Sequence, residues 1–235
     1  MLPELLLNSP LFGMGLTIIV YCACEFLVHR LKLSIVPPIV FACPAIILFL
    51  LYAPNVNYQQ YKIGGDFINF LLGPATIALA LPLYRNRHVI QANAFSITIG
   101  ILVATLSAIF SVYLLGKSLG ASEAVLLSLL PKSVTNPIAL EITKTIGGIP
   151  PLTAAVIIST GMLGATINHK LLKILGVKND LAAGIAIGAS SHGIGTSVCA
   201  HVSAVQLATG GVSIALTGIA TSILIPLLLP ILKTL

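Results

Sequence analysis

The sequence predicts an all-α, polytopic membrane protein, and three observations lead to this fold class. Of its residues, 57% are hydrophobic and only 8% are charged, whereas an average soluble domain carries roughly 25% charged residues. The mean hydropathy is +1.07. The stretch from Leu181 to Leu232 contains no Asp, Glu, Lys or Arg. Since one helical crossing needs about 20 apolar residues, this stretch is long enough to cross a bilayer twice. A β-barrel would instead show short alternating segments.

Eight apolar runs separated by helix breakers predict about seven to eight transmembrane segments, some of them broken or re-entrant. Together they predict a single integral membrane domain over residues 1–235. The fifth run is interrupted by Pro131 and Pro137. The approximate bounds of the eight runs are Leu11–Val28, Ile35–Ala53, Phe67–Leu83, Val89–Leu115, Ala121–Ile146, Leu152–Ile167, Leu181–Ala200 and Leu207–Leu232.

The formal charge of +6 indicates membrane topology rather than nucleic-acid binding. Basic residues cluster between apolar runs, as in cytoplasmic loops under the positive-inside rule. The clusters are His29, Arg30 and Lys32; Arg85, Arg87 and His88; and Lys170, Lys173 and Lys178. Eight strictly alternating crossings would place the third cluster outside, so we predict that the fifth run is a re-entrant hairpin. The N-terminus lacks a cleavable secretory signal, and we expect a multi-pass protein of a bacterial-type plasma membrane.

A faint internal repeat predicts two halves, residues 1–118 and 119–235. Val36-Pro37-Pro38-Ile39 and Ile149-Pro150-Pro151-Leu152 each precede an apolar run, a glycine-interrupted segment and a long apolar helix. With a re-entrant fifth run, the second and sixth segments run in opposite directions, as inverted repeats require. Inverted repeats with paired broken helices are typical of secondary transporters.

Polar or helix-breaking residues at membrane depth mark the candidate site, because lipid cannot satisfy free backbone N–H and C=O groups. The first such stretch lies in the third segment. Gly73 and Pro74 break the helix and free backbone carbonyls, while Thr76 supplies a hydroxyl. The alternative is a tolerated kink whose backbone groups are satisfied by neighbouring helices.

The second stretch runs from Pro131 to Pro137. A lysine at the centre of a membrane helix costs about 2.5–3.5 kcal/mol on insertion scales, so Lys132 should have a purpose or a partner. Its positive charge could face an anionic substrate, with neighbouring donors. Alternatively, Lys132 pairs with Glu141 or extends to the interface. The neighbouring donors are Ser133, Thr135 and Asn136.

The third stretch covers residues 188–196. A helix starting near Thr196 would aim the positive end of its dipole at a bound anion. His192 titrates near neutral pH and is a candidate for carrying a coupling proton, as is Glu141. The alternative for His192 is a satisfied core histidine. The candidate substrate contacts in this stretch are Ser190, Ser191, His192, Gly193, Gly195 and Thr196.

Metal sites and enzyme motifs are not expected. The four cysteines lie within apolar runs, and Cys22-x-Cys24 has no second pair, so they are interpreted as small hydrophobic residues. The sequence lacks a phosphate-binding Gly-x-x-x-x-Gly-Lys-Ser/Thr loop, a His-Glu-x-x-His zinc motif and a Gly-x-Ser-x-Gly elbow. We therefore expect no metal, no cofactor and no enzymatic activity.

The motifs together resemble the LrgB/CidB family of bacterial membrane proteins, which includes the plant chloroplast glycolate/glycerate translocator among its relatives. Asn136 stands where many members have threonine, which bears on substrate preference. The resemblance covers nearly the whole chain in the expected order. The matching segments are LGPATIALALPLY at 72–84, LPKSVTNPIA at 130–139, IGGIP at 146–150 and ASSHGIGT at 189–196.

The resemblance implies two competing functions. One is secondary transport of small monocarboxylates such as pyruvate, glycolate or glycerate, by alternating access and with proton coupling. The other is antiholin-like regulation of murein hydrolase export and autolysis, with a small LrgA/CidA-type membrane partner. We expect a carrier whose substrate carboxylate is held by the second stretch and by helix N-termini near Gly73 and Thr196. A homodimer in the lipid bilayer is expected by analogy, and a channel is a third hypothesis.

Overall fold

The computed structural model describes residues 4–31, 38–71, 74, 77, 80–85 and 87–234. Every regular element in these ranges is helical, which confirms the predicted all-α class. Contacts within the chain group it into two compact units, Met1–Ala75 (unit 1) and Thr76–Leu235 (unit 2). The single integral domain and the repeat halves 1–118 and 119–235 remain predictions.

Unit 1 packs two of its helices at a pair of glycines. A Cβ on Gly64 would lie 2.7 Å from the Cα of Gly13, so only glycine permits this approach. The later helix begins with a capping box, in which Asn57 and Gln60 exchange side-chain-to-backbone hydrogen bonds of 2.9 Å. The helices are α1 (Glu4–Leu7), α2 (Pro10–Arg30), α3 (Ile39–Tyr52) and α4 (Tyr58–Phe70).

Unit 2 contains the two later candidate stretches, and helix-terminating glycines divide it. Gly120, Gly147 and Gly176 have φ angles of 75°, 84° and 71°, the left-handed conformation that ends a helix at little cost for glycine. The helices are α5 (Ala80–Arg85), α6 (Arg87–Ala92), α7 (Ala94–Ser118), α8 (Glu123–Leu129), α9 (Asn136–Ile146), α10 (Pro150–Ile174), α11 (Asp180–Ser197) and α12 (Ala204–Thr234), with a 3₁₀ turn at Val198–His201.

Four helices in the described ranges, α2, α7, α10 and α12, are long and apolar enough to span a membrane. α3 contains a shorter apolar stretch, Phe41–Tyr52. Large apolar side chains remain exposed along these helices, for example Phe95 at 81% and Ile174 at 81%, as a lipid-facing surface requires. The protein is therefore a helical membrane protein, but the predicted count of seven to eight segments is not confirmed.

The predicted fifth segment is a helix–break–helix hairpin made of α8, residues 130–135 and α9. α8 runs beside the start of α10. The Ile149 amide donates to the Ser128 hydroxyl at 2.7 Å, and the Thr153 hydroxyl donates to the Ser128 carbonyl at 2.9 Å. α8 therefore enters at the end of unit 2 where α10 begins.

α9 returns to that same end. Val134 in the break and Ala139 in α9 pack against Ile157, one turn further along α10 than Thr153. Beyond Ala139, α9 passes Thr153 again, because the hydroxyls of Thr143 and Thr153 are 2.9 Å apart. The segment thus enters and leaves at one end of unit 2, with its break near Ile157.

The first part of α11 runs parallel to α12. The Gln206 amide nitrogen donates to the Asp180 carboxylate at 2.8 Å, and the Ser213 hydroxyl donates to the Ile185 carbonyl at 2.9 Å. Pairs 180–206 and 185–213 progress in the same direction. Because two parallel segments that follow each other along the chain need a return path, residues 186–205 must come back.

The return begins at His192, whose φ of 42° and ψ of −146° are not helical. After this reversal Thr196 lies against Gly210, so the chain moves back toward its entry point at Asp180. The seventh predicted segment therefore does not cross from Leu181 to Ala200. It forms a second hairpin that opens at the opposite end of unit 2 from the first.

Two predicted basic clusters lie at one end of unit 2. Ile90, before α7, and Leu181, at the start of α11, pack against the same apolar cluster, which includes Ile185. The starts of α7 and α11 therefore lie at the same end of unit 2, here called the basic end. The basic residues that precede these two helices lie at this end. They are Arg85, Arg87 and His88, and Lys170, Lys173 and Lys178.

Cysteine accessibility tests this arrangement. In a cysteine-free background, Arg87→Cys and Lys170→Cys should react with a membrane-impermeant thiol reagent only from the cytoplasmic side, since basic loops stay inside. Glu123→Cys, at the opposite end beside Lys233, should react only from outside. Labelling of Arg87→Cys and Lys170→Cys from opposite sides would overturn the two-hairpin topology.

Candidate functional site

The breaks of the two hairpins contact the same residue of α10, Ile157, which lies in the first third of that helix. Val134 and Ala139 of the first hairpin pack against Ile157, which is 1% exposed. The His192 Nε2 atom of the second hairpin lies 2.9 Å from the carbonyl oxygen of the same residue. The second and third stretches singled out in the sequence, residues 131–137 (the first tip) and residues 188–196 (the second tip), therefore both reach Ile157.

Lys132 in the first tip carries a half-buried charge. Its Nζ atom donates a long hydrogen bond of 3.4 Å to the buried Ser133 hydroxyl. No carboxylate in the described ranges lies within ion-pair distance of it. The predicted alternative, a pair with Glu141, is not formed, because Glu141 is exposed and accepts from Lys144 at 2.6 Å one turn away. Lys132 is thus a cation still available to an anion.

Two side-chain oxygens next to Lys132 are buried and have no hydrogen-bond partner in the described part of the chain, Thr135 Oγ1 and Asn136 Oδ1. Leaving such a group unpaired costs about 1–3 kcal/mol. Both residues stand at the N-terminus of α9, where Thr135 makes no capping bond through its side chain and Pro137 follows. Since a helix N-terminus favours negative charge, a small ligand with oxygen atoms fits here.

His192 in the second tip is 4% exposed. A backbone carbonyl only accepts, so the Nε2 atom facing Ile157 must carry a proton. The Thr196 hydroxyl donates to the His192 carbonyl at 2.7 Å and holds the reversed backbone. His192 therefore links the second tip to α10, and no described residue engages its Nδ1 atom.

The two serines of the second tip are tied to α10 by Asn168. The Asn168 amide donates to Ser191 at 2.7 Å and to Ser190 at 3.3 Å, and the two hydroxyls are 3.0 Å apart. Ser191 is buried, while Ser190 is exposed. The serines are thus held by protein contacts in this conformation.

Glycines of α10 allow this close approach. A Cβ on Gly161 would lie 2.7 Å from His192 Cε1, and one on Gly164 would overlap Ser191. Gly195 also faces Ser191, whereas nothing lies within 4 Å of a Cβ built on Gly193. The second tip therefore packs directly against the glycine face of α10.

The helix start predicted near Thr196 lies a few residues earlier, because α11 is interrupted at His192 and a second helical segment follows it. That segment ends at Ser197, and within it the Thr196 hydroxyl donates to the His192 carbonyl. The first predicted stretch is described only in part: Pro74 is an exposed helical residue of unit 1. Gly73 and Thr76 lie outside the described residues.

Sequence reasoning missed Asn168 and Thr217. Thr217 is 1% exposed on α12 and its hydroxyl has no partner in the described ranges. It is adjacent to Gly218, which faces Ile138 of α9. Asn168 could have been recognised as a polar residue four and seven positions after Gly164 and Gly161, on the same helix face. Thr217 offers no such signal, because threonine is common in membrane helices.

Together, the apolar helices, the two broken hairpins and the polar tips define the class of this molecule, an α-helical integral membrane protein with a polar centre. The chain belongs to the LrgB-like family, whose profile matches residues 17–231.

Curated relatives match almost end to end. The uncharacterized protein YwbG of Bacillus subtilis (strain 168) is 35% identical over 91% of this chain and 95% of its own. YxaC of the same strain is 34% identical over 90% and 92%. Antiholin-like protein LrgB of Bacillus mycoides (strain KBAB4) is 30% identical over 94% and 96%. No solved structure matches the chain.

Proposed function

We propose that this protein is a secondary transporter of small monocarboxylates of the pyruvate, glycolate and glycerate class. The observation that carries the proposal is that two oppositely entering broken hairpins both contact Ile157. Broken helices at membrane depth, facing each other from both sides, are the architecture in which transporters bind substrate. A purely structural membrane protein has no need of such breaks, which leave polar groups to be satisfied within protein or water.

The first tip indicates the substrate class. Lys132 offers a positive charge, Ser133 a hydroxyl and α9 the positive end of its dipole. The unpaired Thr135 hydroxyl would donate to the keto or hydroxyl oxygen of a short acid, and the unpaired Asn136 Oδ1 atom would accept from a substrate hydroxyl. All these groups lie within five consecutive residues, so a small anion matches them better than a large one.

Each hairpin with its following helix forms one half of an inverted pair. Residues 123–174 enter from one end of unit 2 and residues 180–234 from the other. If the two halves exchange their conformations, the tips become exposed first to one side of the membrane and then to the other, which is alternating access. The carrier would reside in a bacterial plasma membrane, use no cofactor and catalyse no reaction, and a homodimer remains part of this proposal.

Proton coupling through His192 can be separated from its structural role. His192→Gln keeps an N–H donor able to reach the Ile157 carbonyl but cannot titrate, so folding should persist. Wild-type uptake should rise with an inward proton gradient, whereas the variant should transport at its gradient-free rate. Uptake into proteoliposomes with and without a pH gradient measures this. An unchanged gradient response in the variant would assign coupling elsewhere, with Glu141 the next candidate.

A second candidate function is antiholin-like regulation of murein hydrolase export and autolysis with a small LrgA/CidA-type partner. It is favoured by the name of the Bacillus mycoides relative. The lysine and the unpaired oxygens of the first tip favour transport, because a regulatory scaffold gives them no role. A channel would show non-saturating uptake and no counterflow.

The experiment that tests the proposal is uptake of labelled pyruvate and glycolate by proteoliposomes containing this chain alone. Saturable uptake with counterflow supports the carrier. Absence of uptake of either acid, by protein whose insertion is verified by protease protection, would favour the regulatory function.

A further inference from the structure

Unit 2 has a cavity of about 340 Å³ at the basic end, away from the hairpin tips. It lies where the end of α10, the following loop and the starts of α11 and α12 converge. Lys173, Lys178, His169 and Gln206 supply its polar wall, and apolar side chains, Leu172 and Val177 among them, supply the rest. None of the described residues that line it is acidic.

The loop that carries the two lysines is built by a defined helix ending. Gly176, with φ of 71°, closes α10. The Gly176 amide donates to the Lys173 carbonyl at 3.2 Å, and the Val177 amide donates to the Leu172 carbonyl at 2.9 Å. These bonds fix the backbone between Leu172 and Val177, the segment that carries Lys173 and leads to Lys178.

A hydrogen-bond chain orients the polar wall. Asp180 accepts from Ser203 at 2.7 Å and from the Gln206 amide nitrogen at 2.8 Å, and these bonds lower the pKa of its carboxyl. Because a carboxylate only accepts, the amide oxygen of Gln206 must face His169, 3.0 Å from its Nε2 atom. That nitrogen therefore donates, and the Asp180 charge is engaged outside the cavity.

The two ammonium groups of the wall have no counterion among the residues that the structure describes. Neither Lys173 nor Lys178 has a carboxylate within ion-pair distance in the described ranges. Both are exposed and belong to the cluster that the positive-inside rule places in the cytoplasm. Basic pockets between helices at this level of a membrane suit anionic head groups, and lysine is a common binder of phosphate.

We propose that the basic-end cavity binds a phosphate group, carried either by an anionic lipid of the inner leaflet or by a soluble phosphate compound. Lys173 and Lys178 neutralise the phosphate, and the apolar wall accommodates the glycerol or carbon portion attached to it. Since the wall includes residues of α10, α11 and α12, the bound phosphate joins the second hairpin to its supporting helices. This site is independent of the transport proposal.

Thermal unfolding of the full chain in neutral detergent tests the site. The probes are inorganic phosphate, with chloride at equal ionic strength as reference, and short-chain phosphatidylglycerol, with phosphatidylcholine as reference. Lys173→Gln/Lys178→Gln should raise the probe concentration needed for half of the stabilising effect about tenfold or more, since each basic residue contributes about a factor of five in affinity near an anionic surface. The matched control is Lys117→Gln/Lys144→Gln, which removes the same charge from exposed positions outside the cavity.

A second variant, Val177→Glu, places a negative charge in the wall and should abolish the response without removing a lysine. Stabilisation by phosphatidylglycerol alone identifies a lipid head group, and stabilisation by inorganic phosphate as well identifies a small-phosphate site. Either result, lost in both cavity variants and kept in the control, supports the proposal. No response to either probe, or an equal response in the cavity and control variants, overturns it.

Discussion

Replacing Lys132 by alanine is expected to lower uptake of labelled pyruvate or glycolate by about tenfold to hundredfold at low substrate concentration. Hydrogen bonds to charged groups contribute about 1.5–3 kcal/mol, and Lys132 is the cation of the first tip, with no carboxylate partner in the described ranges. Because no ion pair is broken by its removal, the variant should insert and fold like the wild type. Initial uptake rates in proteoliposomes and the unfolding temperature in detergent measure the two effects.

The matched control is Lys144→Ala, which removes a lysine from the same hairpin. Lys144 is exposed and paired with Glu141, and an exposed pair of this kind contributes about 0–1 kcal/mol, so uptake should be near wild type. Lys132→Arg keeps the charge but changes its shape and should retain partial uptake with an altered preference between the two acids. Wild-type uptake by Lys132→Ala would remove this residue from the binding site.

The same pair of variants bears on the regulatory function. A regulator that acts through contacts with a small membrane partner would depend on surface residues, and Lys144 is such a residue. A phenotype caused by acid transport would depend on Lys132 instead. If the autolysis phenotype is lost in Lys132→Ala and unchanged in Lys144→Ala, autolysis is a consequence of transport.

Composition and proline positions predicted the fold class and the first break because both act locally. A chain with 8% charged residues has too few of them to form a water-facing surface. Two prolines interrupt a helix wherever it lies. The reversal at His192 has no such signal. The glycines of 188–195 only permit it, and the contacts that hold it come from Ile157, Gly161 and Gly164 on another helix.

The site residues likewise fall into those that residue type alone reveals and those that depend on contacts formed only in the folded chain. Lys132, Thr135 and Asn136 were recognised by residue type, because polar groups at membrane depth need a reason to be there. The partner of Glu141 was missed, although Lys144 lies at the i+3 position where helix pairs form. Asn168 was missed because its role depends on two serines that reach it only after the second hairpin has folded back.

Gly164→Val should displace the second hairpin from α10 and remove both stability and transport. A single Cβ at this position already overlaps Ser191, and valine adds two methyl groups. Overpacking of a close contact costs about 1–3 kcal/mol, and the displaced tip would also lose the Asn168 hydrogen bonds to Ser191 and Ser190. The unfolding temperature in detergent should fall by several degrees, and uptake should fall close to background.

Gly193→Val provides the control, because it makes the same substitution in the second tip at a position where nothing lies within 4 Å of the added Cβ. It should leave the unfolding temperature near that of the wild type. Ser191→Gly, combined with Gly164→Val, removes the atoms that overlap and should recover part of the lost stability. Equal unfolding temperatures for Gly164→Val and Gly193→Val would show that α11 does not fold back against α10, and the convergence of the two tips at Ile157 would fall with it.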